Sequence, residues 1–250
     1  MIKERKMQGI CKFCGKHTQI IQSHIIPKSF YHLRKWGSFS GIYPAECHLD
    51  KVHAQNGFKS PLLCKECDNH LGVFDAYACY FLYTFVPTCR FDDSNKLSPV
   101  CKIKFLDFNY YKLKYFFISL VWRASVCDSI PYSLGLYEKT ALNILKYLTP
   151  EQESLFVTLI YRKETNHAVD QVVAICQKTM GTHKYFYFRF LNYEVIVLTD
   201  IHQIRDKNLA MEWQNFFTHR EIKIHKITTY TPLDELIIKS REKIAHKYGK

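Results

Sequence analysis

The chain has 250 residues, 47% of them hydrophobic and 15% aromatic, enough to bury a sizeable core in one large domain or two small ones and too apolar for a disordered or fibrous protein. Its 35 Lys and Arg outnumber 23 Asp and Glu, and the formal net charge of +12 points toward a polyanionic partner. The opening Met-Ile-Lys-Glu-Arg-Lys-Met-Gln carries no apolar signal-peptide run, and no stretch reaches the roughly 18 apolar residues of a bilayer span, so a cytoplasmic location and no membrane partner are expected.

The first 75 residues read as a compact module. A Cys-x-x-Cys knuckle at Cys11 and Cys14 closes on Gly15, and a strand over residues 18–22 runs into Ser23 and His24. A turn-rich loop follows over roughly residues 31–61, with Gly37, Gly41, Pro44, Gly57 and Pro61. A second knuckle, Cys64 and Cys67, opens a helix predicted to start near Cys67 and continue toward Phe85. Its apolar face is Leu71, Phe74, Tyr77 or Ala78, and Phe81 or Leu82, and Pro87 ends it. The run Asp92-Asp93-Ser94-Asn95 and the pair Ser98-Pro99 mark a boundary between a module over 1–90 and a second unit over 100–250.

That second unit reads as a mixed α+β domain. Helices are predicted over 110–126 and 141–148, and strands over 155–161, 169–176, 185–191 and 193–198, with Asn192 turning between the last two. A final helix is expected over 232–248, with Pro near its start and basic residues near its end. The aromatic strand around Tyr185-Phe186-Tyr187-Phe188 could stack bases on an open sheet face, but aromatics on both faces favour burial.

In a reducing compartment thiols serve as buried hydrophobes, metal ligands or catalytic groups rather than disulfides. Of the ten cysteines, Cys11, Cys14, Cys64 and Cys67 form two knuckles of the type that together make a tetrahedral thiolate site for Zn²⁺. Cys47, Cys79, Cys89, Cys101, Cys127 and Cys176 are expected to be structural. The 49 residues between the knuckles exceed a simple zinc ribbon and leave room for an inserted site. His48 and His53 beside Cys47 fit no tetrahedral spacing and read as loop polar groups. Residues 1–70 hold eleven Lys or Arg and five Asp or Glu, so six of the twelve excess positive charges lie in about a quarter of the chain.

Between the knuckles stands Ser23-His24-Ile25-Ile26-Pro27-Lys28-Ser29-Phe30. The order Cys-x-x-Cys, Ser-His-Ile-Ile-Pro-Lys-Ser-Phe, Leu-Leu-Cys-x-x-Cys-Asp-Asn-x-Leu-Gly-x-Phe-Asp resembles the HNH endonucleases of the ββα-metal, or His-Me finger, fold in their zinc-bearing, treble-clef-like form. The resemblance covers about residues 8–80. Ser119-Leu-Val-Trp-Arg123 is also similar to a stretch that follows this module in some bacterial proteins.

The resemblance implies an α+β protein whose N-terminal module is a metal-dependent nuclease acting on DNA. His24 would be the general base, taking a proton from the attacking water; histidines titrate near about 6.5, which suits the task at neutral pH. One divalent ion, Mg²⁺ or Mn²⁺, would sit at the positions matched by Ser23 and Asp68. Asp68 is a good hard-oxygen ligand and Ser23 a poor one. Asp75, seven residues and two helical turns beyond Asp68, returns to nearly the same face and is the best substitute ligand. Gly72 stands where some members carry a second His, and His70, two positions past Asp68, reads as a surface or capping residue. The middle Asn of the family name would orient the base; Asn56 is the nearest residue of that type, with Gln55 and Asn69 as alternatives. Lys28, Arg34 and Lys35 would meet phosphates without reading sequence. The context implied is an anti-phage defence effector beside a protein partner that senses or regulates. The alternatives are a degenerate module that binds nucleic acid or a protein partner without cutting, and a zinc-stapled protein-interaction domain.

Overall fold

The computed structural model describes residues 7–32, 59–92, 94, 99–130, 132–149, 155–163, 173–180, 183–190, 192–199, 217–218 and 221–227. Over these the fold is mixed α+β, with two sheets and four α-helices. No helix among them is long and apolar enough to cross a membrane.

The first sheet has the order β1 (Met7–Ile10), β2 (His17–His24), β3 (Lys59–Cys64), all antiparallel. β2 is longer than the five residues expected and carries His24 to its last position, opposite Lys59. The strand begins at Lys59, so Pro61, expected in the loop, lies within it. β3 is an edge strand, and Pro61 pairs with Gln22 at an irregularity between Ile21 and Gln22, so its missing N–H interrupts no central ladder. Between β2 and β3, Pro27 leads into α1 (Lys28–His32). Arg34, Lys35, Cys47, His48, His53, Gln55 and Asn56 lie outside the described residues, as does the expected 232–248 helix.

α2 (Lys65–Tyr80) starts two residues before the predicted position, directly from β3, and buries Cys67, Leu71, Phe74 and Ala78. The helix does not run regularly to Phe85. It widens into a π turn over Phe81–Phe85 and closes as a 3₁₀ turn over Val86–Thr88. Pro87 explains the change, because a proline ring presses on the carbonyl four residues back and removes one helical N–H.

α3 (Tyr110–Ser125) matches the prediction within one residue, and Asn109 caps it by accepting from the Lys112 N–H at 2.9 Å. Thirteen of its residues are buried, more than in any other helix among the described residues. α4 (Tyr137–Tyr147) begins four residues earlier than expected, at an N-cap Leu136 that offers no capping side chain. The second sheet has the order β4 (Val100–Lys104), β9 (Glu221–Ile227), β5 (Phe156–Lys163), β8 (Tyr193–Thr199), β7 (His183–Phe190), β6 (Val173–Met180). β5 and β9 are parallel and the other pairs antiparallel. β6 covers the predicted strand from Val173 on, residues 169–172 lying outside the described residues, and β7 and β8 turn at Asn192 as predicted.

Period two decides how the aromatic strand is used. Phe186, Phe188 and Phe190 are fully buried in the large core, while Tyr185 joins Val157, Leu159 and Leu198 in a smaller cluster on the opposite face. The aromatics are thus packing residues. The large core runs from Cys11, Phe13 and Ile20 through α2 and α3 to Phe186, Ile222 and Ile224, so both units contribute to it. Phe30 of α1 sits at the seam, its ring 5.6 Å from Phe116, 4.8 Å from Phe190 and 5.7 Å from Tyr83.

Candidate metal centre and active site

Two local folds bring the four cysteines together. In the first knuckle Gly15 takes φ +77°, a left-handed conformation that glycine adopts without strain, so that its N–H reaches Cys11 O at 2.8 Å while Cys11 N donates to Lys16 O at 3.0 Å. The second knuckle uses the strand-to-helix joint: Cys64 is the N-cap of α2 and Cys67 lies one turn on. The Cys64 side chain makes no cap hydrogen bond. Its backbone N–H instead donates to Cys11 Sγ at 3.4 Å, and Lys12 N donates to Leu62 O at 2.9 Å, fastening the knuckles to each other.

The four sulfur atoms lie within 4.8 Å of one another, close enough to bind a metal ion. A Zn²⁺ with Zn–S bonds of about 2.3 Å needs sulfur–sulfur edges of about 3.8 Å, so a small contraction would complete the tetrahedron. The donor set therefore fits a structural zinc. Burial works against ionising Cys11, yet the backbone N–H groups of Cys14, Cys64 and Phe13 outweigh it and bring the thiol down to about 7. Burial and the neighbouring Cys64 and Cys11 push Cys67 up. Ionised together, the four sulfurs would call for a cation, and metal binding supplies one as it releases their protons.

The other predicted site residues lie on β2 and α2, and among the described residues His24, Asp68 and Asp75 do not form a second group close enough to hold a metal ion. His24 is half-buried, with its ring 6.4 Å from that of Tyr31, and the carbonyl of His24 accepts from Arg123 Nη1 at 3.1 Å. Ser23, opposite Ser60, is 1% exposed, and its Oγ has no hydrogen-bond partner among the described residues. Asp68 is half-buried on the first turn of α2. Asp75 follows two turns later, near enough that burial, opposed by Arg123, raises its carboxyl and the Asp68 charge raises it further. The two carboxylates thus share a face, as the seven-residue spacing implies.

Asp75 is already engaged. Arg123 of α3 meets it with two parallel bonds, Nη1 to Oδ2 at 3.0 Å and Nη2 to Oδ1 at 2.7 Å. Metal coordination through Asp75 would have to compete with that guanidinium. Lys28 is exposed at the start of α1. His70 caps a different helix: its Nε2 lies 3.2 Å from Leu145 O at the end of α4, with its ring against Phe13 and Phe74. Gly72 is not demanded by space, since a Cβ there would meet nothing within 4 Å.

Arg123 and Ser119 are the residues the sequence reading left without a role. The signal was present, because an Arg inside Ser-Leu-Val-Trp-Arg-Ala, a buried stretch of helix, must find an anion or several carbonyls. Its partners, 48 and 99 positions away, were not legible.

These features define an α+β protein with a four-cysteine cluster that can hold a metal ion. Compared with known proteins, the chain matches no family model, no curated protein and no solved structure.

Proposed function

We propose that the chain is a metal-dependent HNH-type endonuclease that hydrolyses phosphodiester bonds in DNA, with His24 as general base. The observation that carries the reading is the β2–β3–α2 unit. It sets His24 on the last residue of one strand and starts a helix bearing Asp68 and Asp75 from the next, at a four-cysteine cluster. Zn²⁺ is the structural ion of that cluster. Asp68, with Ser23 and its unpartnered Oγ, are the residues that would hold Mg²⁺ or Mn²⁺, which when bound would stabilise charge at the scissile phosphate and the leaving 3′ oxygen.

The chain's own part is to hold and move one proton. His24 accepts it from the attacking water, and its position is fixed because its backbone is tied to β3 on one side and to Arg123 on the other. Lys28 contributes positive charge beside the site, and the net +12 draws the chain to a polyanion. Asn56, Arg34 and Lys35 keep the roles the resemblance gives them, base orientation and phosphate contact. A cytoplasmic defence effector working beside a sensing or regulating protein is the setting that fits this chemistry.

The second reading is a module of the same kind that binds nucleic acid or protein without cutting. The bidentate pairing of Asp75 with Arg123, together with Ser23 where an acid or His would bind more tightly, favours it. One experiment separates the two. Plasmid DNA incubated with the protein and Mg²⁺ or Mn²⁺ should be nicked or linearised, and His24→Ala should lower the rate by about 10²- to 10⁴-fold with zinc content unchanged. Equal cutting by the variant removes His24 from the chemistry, and no cutting by the wild type leaves the binding reading.

A further inference from the structure

A guanidinium has five N–H donors in a fixed plane. In Arg123 there is an acceptor for each. Nη1 donates to Asp75 Oδ2 at 3.0 Å and to the His24 carbonyl at 3.1 Å. Nη2 donates to Asp75 Oδ1 at 2.7 Å and to Ser119 Oγ at 3.0 Å, and Nε donates to Ser119 O at 3.3 Å. Ser119 is itself held, its hydroxyl donating to Phe116 O at 2.8 Å. Arg123 is 2% exposed, so no donor remains to meet a phosphate and no water is needed to complete the set.

A saturated, buried arginine does not bind substrate; it fixes what it touches. Here it touches the peptide at the end of β2, the carboxylate two turns along α2 from Asp68, and its own helix. It ties the strand that presents the imidazole to the helix that presents the acids, from a third element outside the β2–β3–α2 unit. The neighbouring residue does the same for the metal cluster: Trp122, fully buried, packs edge-on against Phe13 inside the first knuckle at 5.6 Å. α3 therefore braces both halves of the module with consecutive side chains.

We infer that Arg123 is a positioning residue for His24, setting the distance between the β2 end and the acidic face of α2, so that the reaction site is completed only by a helix of the second unit. The inference rests on the nuclease reading for its catalytic meaning. A lysine cannot reproduce the fork, because it offers a point charge in place of two parallel bonds. Asp75 is on this account chiefly the anchor of Arg123.

The test uses the full chain carrying Arg123→Lys, which keeps the charge and loses the geometry. With zinc still stoichiometric, kcat on plasmid DNA should fall about 10- to 100-fold, the scale of an ångström-level misplacement, while KM stays within about threefold, because no substrate contact is removed. The His24 imidazole resonances should move in the same variant, while those of His225 in the second sheet stay. Should Arg123→Lys not fold, Ser119→Ala withdraws one acceptor only, and the same split and the same resonance shift are expected at smaller size. A folded, zinc-loaded variant with unchanged kcat and unmoved His24 resonances overturns the inference. If the wild type cuts no DNA with any divalent ion, the nuclease reading falls, and the resonances alone judge the positioning: shifted supports it, unshifted ends it.

Discussion

The small sheet with α2 and the six-stranded sheet with α3 differ in the groups they bring together. The first has strands of four, eight and six residues, and its tightest convergence is four sulfur atoms within 4.8 Å. In the second, Phe186, Phe188 and Phe190 fill one face, and the buried ion pair of Arg189 and Glu194 faces directly across two paired strands. Three short strands and one helix are marginal without a staple. A six-stranded sheet on a buried 16-residue helix is not. The contrast sets up an expectation: an ion held by the four cysteines would add to the module's order, whereas the body rests on apolar burial, with one large core joining them.

Removing the staple gives the largest expected effect. Cys64→Ser should lose the ion, and structural zinc in small modules contributes on the order of 10–16 kcal/mol of apparent binding free energy. Amide exchange should then accelerate through β1, β2, β3 and the first turn of α2, while β5, β7 and β8 stay protected. Simultaneous loss of protection in both sheets would show that the common core outweighs the difference in bonding, making the two regions one cooperative unit.

Next in size is the seam. Phe30 is fully buried among Phe116, Phe190 and Tyr83, and it sits six residues after His24 on α1. Phe30→Ala should cost about 3–5 kcal/mol in denaturant unfolding, the range for truncating a core aromatic. A cost below about 1 kcal/mol would mean that the seam is able to collapse onto the cavity and that the module and the body are joined more loosely than the packing implies.

Sequence carried the module better than its surroundings, for a physical reason. Knuckle spacing, the strand into His24, and the return of Asp75 to the face of Asp68 all follow from chemistry within a few residues, and the four-cysteine cluster is in place. α3 was legible because its apolar run is long; the capping Asn109 before it was a further signal that the reading did not use. α4 was shifted because Leu136 gives no start signal and because its C-cap, Leu148, adopts φ 51°, a conformation normally marked by Gly or Asn. The π turn after Tyr80 has no periodic signature. Arg123 shows the deeper limit: its burial was foreseeable from its neighbours, but its partners are set by how α3 crosses the end of β2, which no local pattern encodes.

The smallest expected effect probes whether the module's surface is kept bare. Gly72 lies in the interior of α2, four residues past Asp68, where glycine weakens a helix by about 0.5–1 kcal/mol relative to alanine. A Cβ there meets nothing within 4 Å, so packing does not require its absence. Gly72→Ala should therefore raise the unfolding free energy by about that amount, read in denaturant. Cleavage measured on the same sample sharpens the comparison. If activity is unchanged, the glycine is an uncorrected weakness in the helix. If stability rises and cleavage falls, the bare helix surface beside Asp68 is where a sugar–phosphate backbone passes, and the module has given up helix stability at the one position where its substrate needs room.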